Sequence, residues 1–289
     1  DDLLSSVLAA SSCSKIMFAP AMNVNMYNNP AMTENIKILK ERGCGFIEPD
    51  EGMLACGVSA KGRLRNVPSI LEAVEGFFQE KLLTGKKVLI TAGATREYID
   101  PIRFISNKSS GLMGVSLAKA CRDMGAEVVL ILANSGLEAD GVRIVKVDTV
   151  EDMYQAALRE YENTDIVFAA AAVSDYKPET YSKSKLKKTE QDFSINFKLN
   201  TDILMELGKR KKQQLLVGFA AESENLHENA LSKLEKKNLD MIIANDLSNF
   251  ASEEGKVWVI SRAKVAELDR KPKKELAYDI VRTVLELRS

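Results

Sequence analysis

The period of the hydrophobic positions changes repeatedly along the chain and predicts alternating strands and helices from residue 87 onward. Short apolar runs bounded by polar residues favour strands, and apolar residues three or four positions apart favour helices. The predicted strands are Lys87–Thr91, Glu127–Ala133, Arg143–Val147, Asp165–Val173, Phe193–Leu199, Leu215–Ala221, Leu239–Ala244 and, at an edge, Lys256–Ser261. The predicted helices are Gly111–Met124, Val150–Tyr161, Asp202–Lys211, Leu226–Lys237 and Lys273–Leu287. This order predicts an α/β fold with a mostly parallel sheet covered by helices on both faces.

The first part of the chain has a less regular pattern. It contains predicted helices over Asn28–Arg42 and Val67–Phe78 and short strands over Lys15–Ala19 and Phe46–Ile47. No clear period is visible in Glu48–Arg65. Helical spacing is already present at Leu3 and Leu4, so we expect the chain to begin inside a domain. A polar break at 84–86 places the domain boundary at residue 83, giving domains 1–83 and 84–289.

Composition and charge exclude several classes of function. The 40 basic and 41 acidic residues leave a net charge of −1, which favours neither nucleic acid nor a membrane surface as partner. No apolar run reaches the roughly 18 residues of a membrane span. The 4 cysteines lack the spacing of a metal site or a disulfide framework. We therefore expect a cytoplasmic enzyme or binding protein.

A long polar loop between the strand at Lys87 and the helix after Gly111 is the strongest candidate for chemistry. Loops at the carboxyl ends of parallel strands form the ligand sites of open α/β sheets. Ser109, Ser110 and Gly111 directly precede the helix, whose N–H groups suit a phosphate, although Ser110 alone is equally typical of a helix cap. Asn107 offers an amide donor for a carbonyl or oxyanion, and Arg103 suits a phosphate or carboxylate.

Two further segments place candidate groups after predicted strands. The alanines Ala169–Ala172 leave room for a flat group, and Asp175 beyond them suits a ribose hydroxyl or a hydrated Mg²⁺. The alternative for the alanines alone is a tightly packed strand. Four lysines follow, at positions 183, 185, 187 and 188, and they form either a solvated segment or a flap over a triphosphate.

Other single residues are weaker candidates. Phe219 at a strand end is suited to stacking on a base, and Lys233 and Lys237 share one helix face. In the first part of the chain, Asn23 follows a strand and Cys56 lies in a glycine-flanked polar segment typical of a reactive thiol. His227, the single histidine, is most simply a surface residue.

These segments together, and in this order, resemble the bacterial bifunctional phosphopantothenoylcysteine decarboxylase/phosphopantothenate–cysteine ligase of coenzyme A biosynthesis. Pro20–Tyr27 matches its P-x-M-N-x-x-M-W/Y motif and Gly52–Gly57 its cysteine-containing clamp. The ligase motifs are matched by Ile105–Gly111, Ala171–Pro178, Lys185–Lys188 and Lys237–Asp240. The resemblance implies a Rossmann-like ligase domain preceded by the carboxy-terminal part of a flavodoxin-like decarboxylase domain.

For the ligase, the resemblance implies that 4′-phosphopantothenate reacts with CTP to an acyl-cytidylate, from which cysteine displaces CMP. Asn107 would stabilise the acyl intermediate, and Arg103, Ser109, Ser110 and Gly111 would bind the substrate. Mg²⁺ would neutralise the phosphates, with Asp175 as a ligand. The implied nucleotide contacts are Ala169, Ala170, Ala171, Asp175, Lys185, Thr201, Asp202, Ile203, Leu204, Phe219, Lys233 and Lys237. A homodimer through this domain is also implied.

For the decarboxylase, the resemblance implies FMN as cofactor, Asn23 as carboxylate ligand and Cys56 as proton donor to the enethiol. The family's catalytic histidine and most FMN contacts are expected upstream of Asp1. A truncated chain of this kind predicts a competent ligase and an impaired decarboxylase, with FMN and larger assemblies belonging to the full-length protein.

Two alternatives remain open from the residues. A nicotinamide-dependent oxidoreductase would use the same kind of sheet, but Gly93-Ala94-Thr95 lacks the compact G-x-G-x-x-G turn. A non-catalytic flavoprotein would keep Pro20–Tyr27 but would have no use for Asn107 and Lys185.

Overall fold

The structure is a computed structural model that describes residues 2–53, 57, 59–187, 194–222, 226–246 and 252–288. Cys56 and Lys188 lie outside the described residues, as does the side chain of His227. The chain divides into two compact units, residues 1–80 and 81–289.

The first unit is small and contains short elements. They are α1 (Leu3–Ala10), β1 (Met17–Phe18), α2 (Val24–Tyr27), α3 (Pro30–Glu41), β2 (Gly45–Phe46), β3 (Asp50–Met53), β4 (Ser59–Arg63) and α4 (Val67–Phe77). Strands β1 and β2 pair in parallel, and β3 and β4 form an antiparallel pair. The β3–β4 pair lies in the segment for which the sequence predicts no element. Its strands are rich in charged and small residues, so no apolar alternation marks them.

The second unit is built around a large sheet with helices. Its first half contains β5 (Lys87–Gly93), β6 (Arg96–Tyr98), β7 (Phe104–Ser106), α5 (Leu112–Asp123), β8 (Glu127–Ala133), β9 (Arg143–Val147) and α6 (Val150–Tyr161). Its second half contains β10 (Ile166–Ala169), β11 (Tyr176–Pro178), β12 (Phe197–Leu199), α7 (Ile203–Arg210), β13 (Leu215–Glu222), α8 (Leu226–Lys236), β14 (Met241–Asp246), β15 (Glu254–Ser261), β16 (Val265–Pro272) and α9 (Lys273–Arg288).

The order of strands in the large sheet is β16-β15-β14-β13-β10-β5-β8-β9. All pairs from β14 to β9 are parallel, whereas β15 and β16 are antiparallel additions. The chain starts at the centre with β5, runs outward through β8 and β9, and then returns to the other side of β5 with β10. The prediction of a mostly parallel sheet is confirmed, and the direction of winding reverses between β5 and β10.

Helices cover both faces of this sheet, as predicted. On one face α5 and α9 pack against side chains such as Val88 and Ile90 of β5. On the other face α6, α7 and α8 pack against Leu89 of the same strand. Because successive side chains of a strand point to opposite faces, β5 is buried on both.

Two predictions about this unit are wrong in detail. Lys256–Ser261 belongs to β15, which is not an edge strand because β16 pairs outside it. Strand β16 carries Glu, Asp, Arg and Lys at mostly exposed positions, so its sequence does not stand out as a strand. The long loop after β5 is not irregular throughout, since it contains the antiparallel β6–β7 hairpin.

Candidate active site

A cavity of about 1020 Å³ opens where the winding of the large sheet reverses. Its walls come from the carboxyl ends of β5, β10 and β13, the first turn of α5, and parts of α7 and α8. Ligands bind at this kind of switch point in open α/β sheets, because loops from neighbouring strands diverge there. The predicted residues that line it are Asn107, Ser109, Ser110, Gly111, Ala169, Ala170, Ala171, Asp175, Thr201, Asp202, Ile203, Leu204, Phe219, Lys233 and Lys237.

The loop after β5 is held by buried polar side chains. The hydroxyl of Thr95, which is fully buried, accepts a hydrogen bond from the Ser174 N–H at 3.0 Å. The side chain of Asn134 donates to the carbonyl oxygen of Ala94 at 2.9 Å. Glu97 Oε1 accepts from the Val150 N–H at 3.0 Å, at the amino end of α6. These contacts fix the entrance of the loop to the strands on both sides.

Gly93 permits the sharp exit from β5. Its φ is 82°, in the left-handed region that side chains rarely adopt. A Cβ atom at this position would lie 1.8 Å from the carbonyl oxygen of Ala133. Only glycine therefore lets β5 pass this close to the end of β8.

Asn107 and the serines after it form one wall of the cavity. The amide nitrogen of Asn107 donates to the carbonyl oxygen of Val173 at 2.9 Å, which ties the loop to the segment after β10. Ser109 Oγ accepts from the Gly111 N–H at 3.3 Å, and Ser110 Oγ accepts from the Leu112 N–H at 3.4 Å. Both bonds are long, so they are weak. The first turn of α5 lies in the cavity wall, where its backbone N–H groups suit an anion.

The alanine segment forms the floor. Ala170 N–H donates to the carbonyl oxygen of Thr91 at 3.1 Å, and Ala172 N–H to that of Gly93 at 2.8 Å. Small side chains on this floor leave the space that the sequence predicts for a flat group. The side chain of Asp175 is exposed at the rim, and its backbone carbonyl accepts from the Asn200 N–H at 2.8 Å.

The opposite wall carries two lysines. Lys237 Nζ lies 2.7 Å from Asp202 Oδ2, and Asp202 also caps α7 by accepting from the Met205 N–H at 3.0 Å. The side chains of Lys237 and Asp202 are 25% and 38% exposed, so the pair stays open to a ligand in the cavity. Lys233 lies one helical turn earlier on α8 and also lines the cavity.

Two predicted ligase residues, Arg103 and Lys185, do not line this cavity. The Arg103 guanidinium lies 3.3 Å from Asp100 Oδ2 and donates to the carbonyl oxygen of Leu186 at 3.2 Å. Lys185 is exposed beside that contact. In the first unit, Asn23 caps α2, with its Oδ1 accepting from the Asn25 N–H at 2.8 Å.

Several residues that line the cavity were not predicted as site residues from the sequence. They include Thr91, Asn200, Asn245 and Lys273. Lys273 begins α9, far along the chain from the other groups, and burial lowers the pKa of its amine. Asn200 Nδ2 is buried and makes no hydrogen bond within the described residues. Thr91 ends a predicted strand but was not singled out as a site residue. The alternation pattern does not mark the other three, because only the tertiary fold brings them to the cavity.

The described residues allow a simple test of metal binding. No group of three or more His, Cys, Asp or Glu in that part of the chain could hold a metal ion alone. Proteins usually bind Mg²⁺ through one or two carboxylates together with substrate phosphates. Asp175 at the cavity rim is an exposed carboxylate of the kind that this mode uses. The described helices include none long and apolar enough to cross a membrane.

The first unit contains a charged cluster around Glu48. Its carboxylate lies 2.7 Å from Lys40 Nζ and 2.9 Å from Lys61 Nζ, and it accepts from the Tyr27 hydroxyl at 2.7 Å. Hydrogen bonds from Lys40, then Lys61 and Tyr27, lower the pKa of Glu48 to about 2. The cluster joins α2, α3 and the β3–β4 pair.

Two family models match the chain in succession. Residues 1–79 match a flavoprotein model, and residues 83–287 match the model of the DNA/pantothenate metabolism flavoprotein C-terminal domain. A coenzyme A biosynthesis bifunctional protein CoaBC from Borreliella burgdorferi is 43% identical over 98% of this chain and 73% of its own length.

Solved structures match a large part of the chain. The C-terminal domain of a coenzyme A biosynthesis bifunctional protein CoaBC is 39% identical, with a TM-score of 0.63 over 72% of this chain and 99% of that one. A Cab2 H337A mutant in complex with phosphopantothenate-cysteine shares the fold at 18% identity, with a TM-score of 0.58 over 70% of this chain and 87% of its own. From the family model, the identity and the shared fold, the chain belongs to the family of coenzyme A biosynthesis bifunctional proteins CoaBC.

Proposed function

We propose that the second unit couples 4′-phosphopantothenate with cysteine in a reaction that consumes CTP. The sequence predicts this domain as residues 84–289. The observation that carries this proposal is the composition of one cavity. It combines an amide at Asn107, a carboxylate at Asp175 and two ammonium groups at Lys233 and Lys237. An acyl-activating ligase needs these groups together, because it must hold a carboxylate substrate and a triphosphate side by side.

In the first step the substrate carboxylate attacks the α-phosphorus of CTP, and pyrophosphate leaves. Lys233 and Lys237 stabilise the negative charge of the phosphates, while Phe219 offers its ring to the base. Lys237 is already oriented by Asp202, so it needs little reordering to reach a phosphate. Mg²⁺ would shield the phosphate charge when bound, with Asp175 holding it at the rim.

In the second step the amine of cysteine attacks the acyl carbon, and CMP leaves with the former carboxylate oxygen. Negative charge develops on the acyl oxygen in the transition state. A fixed amide donor near that oxygen lowers the barrier. We assign this role to Asn107, and we assign the substrate phosphate to the backbone donors of Ser109, Ser110 and Gly111.

The first unit supports a proposal about the other reaction of the family. Asn23 would bind the substrate carboxylate and Cys56 would protonate the product, with FMN supplying the redox chemistry when bound. The family's decarboxylation also uses a histidine, and the single histidine of this chain, His227, belongs to α8 in the second unit. We assign that role to no residue of the first unit.

A second copy of the chain is the proposed partner of the second unit. The β6–β7 and β11–β12 pairs contact each other through β6 and β11 and carry exposed apolar side chains. They are Ile102, Phe104, Tyr176, Phe197 and Leu199. Exposed apolar residues gathered on neighbouring strands are typical of an interface, and a homodimer would bury them.

Pyrophosphate release with each of the four nucleoside triphosphates tests the proposal. We expect release with CTP that depends on 4′-phosphopantothenate, and peptide product only when cysteine is added. The proposal would be contradicted if no nucleoside triphosphate gave pyrophosphate, or if a nicotinamide dinucleotide bound in the cavity.

A further inference from the structure

The buried carboxylate of Asp100 is the centre of a hydrogen-bond group at the tip of the β6–β7 hairpin. Its side chain is 0% exposed. Oδ1 accepts from the Ile102 and Arg103 N–H groups, both at 2.8 Å. Burial opposes its ionisation, but the backbone N–H groups of Ile102, Arg103 and Leu186 outweigh burial and hold the pKa of Asp100 below its usual value.

The same carboxylate reaches a segment far along the chain. Asp100 Oδ2 accepts from the Leu186 N–H at 3.2 Å, and Arg103 donates to the Leu186 carbonyl oxygen at 3.2 Å. The backbone N–H and the carbonyl oxygen of Leu186 are thus both hydrogen-bonded by the Asp100–Arg103 ion pair. Ser182 N–H also donates to the carbonyl oxygen of Ile99 at 3.0 Å. Segment 182–186 is therefore attached to the hairpin at two places.

The attachment links Asn107 to Lys185, which the family resemblance assigns to the nucleotide and which lies outside the cavity. Lys185 directly precedes the gripped residue, and Asn107 lies four residues after Arg103, just beyond β7. An extended strand rises about 3.3 Å per residue, so Arg103 and Asn107 are separated by roughly 13 Å along the hairpin. That hairpin is anchored at its other end by the bond from Asn107 to Val173.

We infer that Asp100 and Arg103 are positioning residues that fix Lys185 relative to Asn107. This inference rests on the proposed ligase function and deepens it. The charge of Asp100 orients Arg103, and Arg103 donates a hydrogen bond to the carbonyl oxygen of Leu186. The backbone next to Lys185 is therefore fixed, and only its side chain moves. Neither residue needs to touch the substrate.

A double-mutant cycle with Lys185→Gln tests this role. We expect Asp100→Asn to lower kcat/KM for CTP about 10-fold, because an amide cannot accept all the bonds that the carboxylate accepts. In the Lys185→Gln background the same change should have an effect of less than about twofold, since the two residues act through one interaction. Equal effects in both backgrounds would overturn the inference.

Arg103→Lys provides a second variant with smaller risk to folding. Both bonds of Arg103, to Asp100 and to Leu186, come from Nη1. Lysine keeps the charge, but its shorter side chain places the nitrogen differently. We expect its effect on kcat/KM also to vanish in the Lys185→Gln background. If Arg103 touches the substrate itself, KM for 4′-phosphopantothenate will rise in both backgrounds, and its role as a positioning residue will be refuted.

Hydrogen exchange separates this inference from the proposed function. Asp100→Asn should accelerate amide exchange in peptides that cover residues 182–187, whereas unchanged exchange would refute the grip whether or not the enzyme is active. Asp165→Asn is the matched control, because Asp165 Oδ2 accepts from the Lys87 N–H at 2.8 Å at the opposite end of the sheet. It should leave both the exchange of 182–187 and the KM values unchanged.

Discussion

Asn107 is bound through its side-chain nitrogen to the carbonyl oxygen of Val173, at 2.9 Å. This contact joins the loop after β5 to the segment after β10, across the point where the sheet reverses its winding. The amide is therefore held in place before any substrate arrives. A preoriented dipole stabilises a transition state without the cost of reorganising it.

Asn107→Asp should strongly slow transfer to cysteine while the protein still folds. A carboxylate would face the carbonyl oxygen of Val173 and would oppose negative charge on the acyl oxygen, so we expect kcat to fall by about 10²–10³. Product formation can be followed by mass spectrometry. Asn29→Asp is the control, because aspartate caps α3 as well as asparagine does. An Asn107→Asp enzyme of normal activity would exclude the assigned role.

Lys237→Gln should raise KM for CTP more than it changes KM for 4′-phosphopantothenate. The substitution removes a charged hydrogen bond to phosphate worth about 1.5–3 kcal/mol, which corresponds to roughly 10- to 150-fold. Initial-rate kinetics with each substrate varied in turn measures this difference. Lys236→Gln on the exposed side of the same helix should change neither KM.

Gly93→Ala should destabilise the second unit strongly. The new Cβ would collide with the carbonyl oxygen of Ala133, and alanine would have to adopt a φ of 82°. We expect a loss of about 2–4 kcal/mol in the free energy of unfolding. Thermal unfolding followed by Trp258 fluorescence reports on this unit. Gly136→Ala, where an added Cβ meets nothing within 4 Å, should be nearly neutral.

Glu48 makes the stability of the first unit depend on pH in the acid range. Its folded-state pKa of about 2 lies below the ordinary 4.5, so ionisation favours the folded state above pH 4.5, and this contribution is lost as the pH falls toward 2. Its side chain is 44% exposed, which limits the contribution to about 1 kcal/mol. Calorimetry should find Glu48→Gln less stable than the wild type at neutral pH, with a difference that shrinks in acid. An equal difference at all pH values would contradict this, and Glu34→Gln on the exposed face of α3 serves as control.

Leu199→Glu should shift the proposed homodimer toward the monomer. Leu199 is 74% exposed on β12, so the change costs little within one copy. Burying an unpaired carboxylate in an interface is strongly unfavourable. Sedimentation equilibrium measures the change in mass. Val265→Glu on β16, where the side chain is 45% exposed, serves as a distant surface control. A wild type that is monomeric at all concentrations would refute the dimer.

The regular part of the fold could be predicted because its signals are local. Strands β8 and β9 and helix α6 have the predicted bounds, since each is an apolar run or an amphipathic pattern closed by polar residues. The β6–β7 and β3–β4 pairs could not be predicted in this way, because their residues are largely polar or exposed and are held by contacts to distant segments.

The residues of the candidate site differ in the same way: some have a local sequence signal, and others depend on distant contacts. Asn107, in the loop after β5, and Asp175, beyond β10, were predicted because the loops after neighbouring parallel strands meet at one edge of the sheet, and both line the cavity. Lys273 and Asn200 were missed, because their place in the cavity depends on how α9 and the segment after β12 pack. The engagement of Arg103 with Asp100 also needs the folded hairpin, since sequence spacing does not show which partner an arginine selects.

The central position of β5 has a consequence for synthesis. Among the strands of the large sheet, β5 is synthesised first. Its neighbour β10 ends only at Ala169. The lysines of the cavity follow later still, at Lys233 and Lys237. A nascent chain that ends before Lys233 already contains β5, β8 and β9 but lacks both lysines of the cavity. The walls of the cavity are therefore synthesised far apart in time, and the wall with the lysines comes after the loop that carries Asn107.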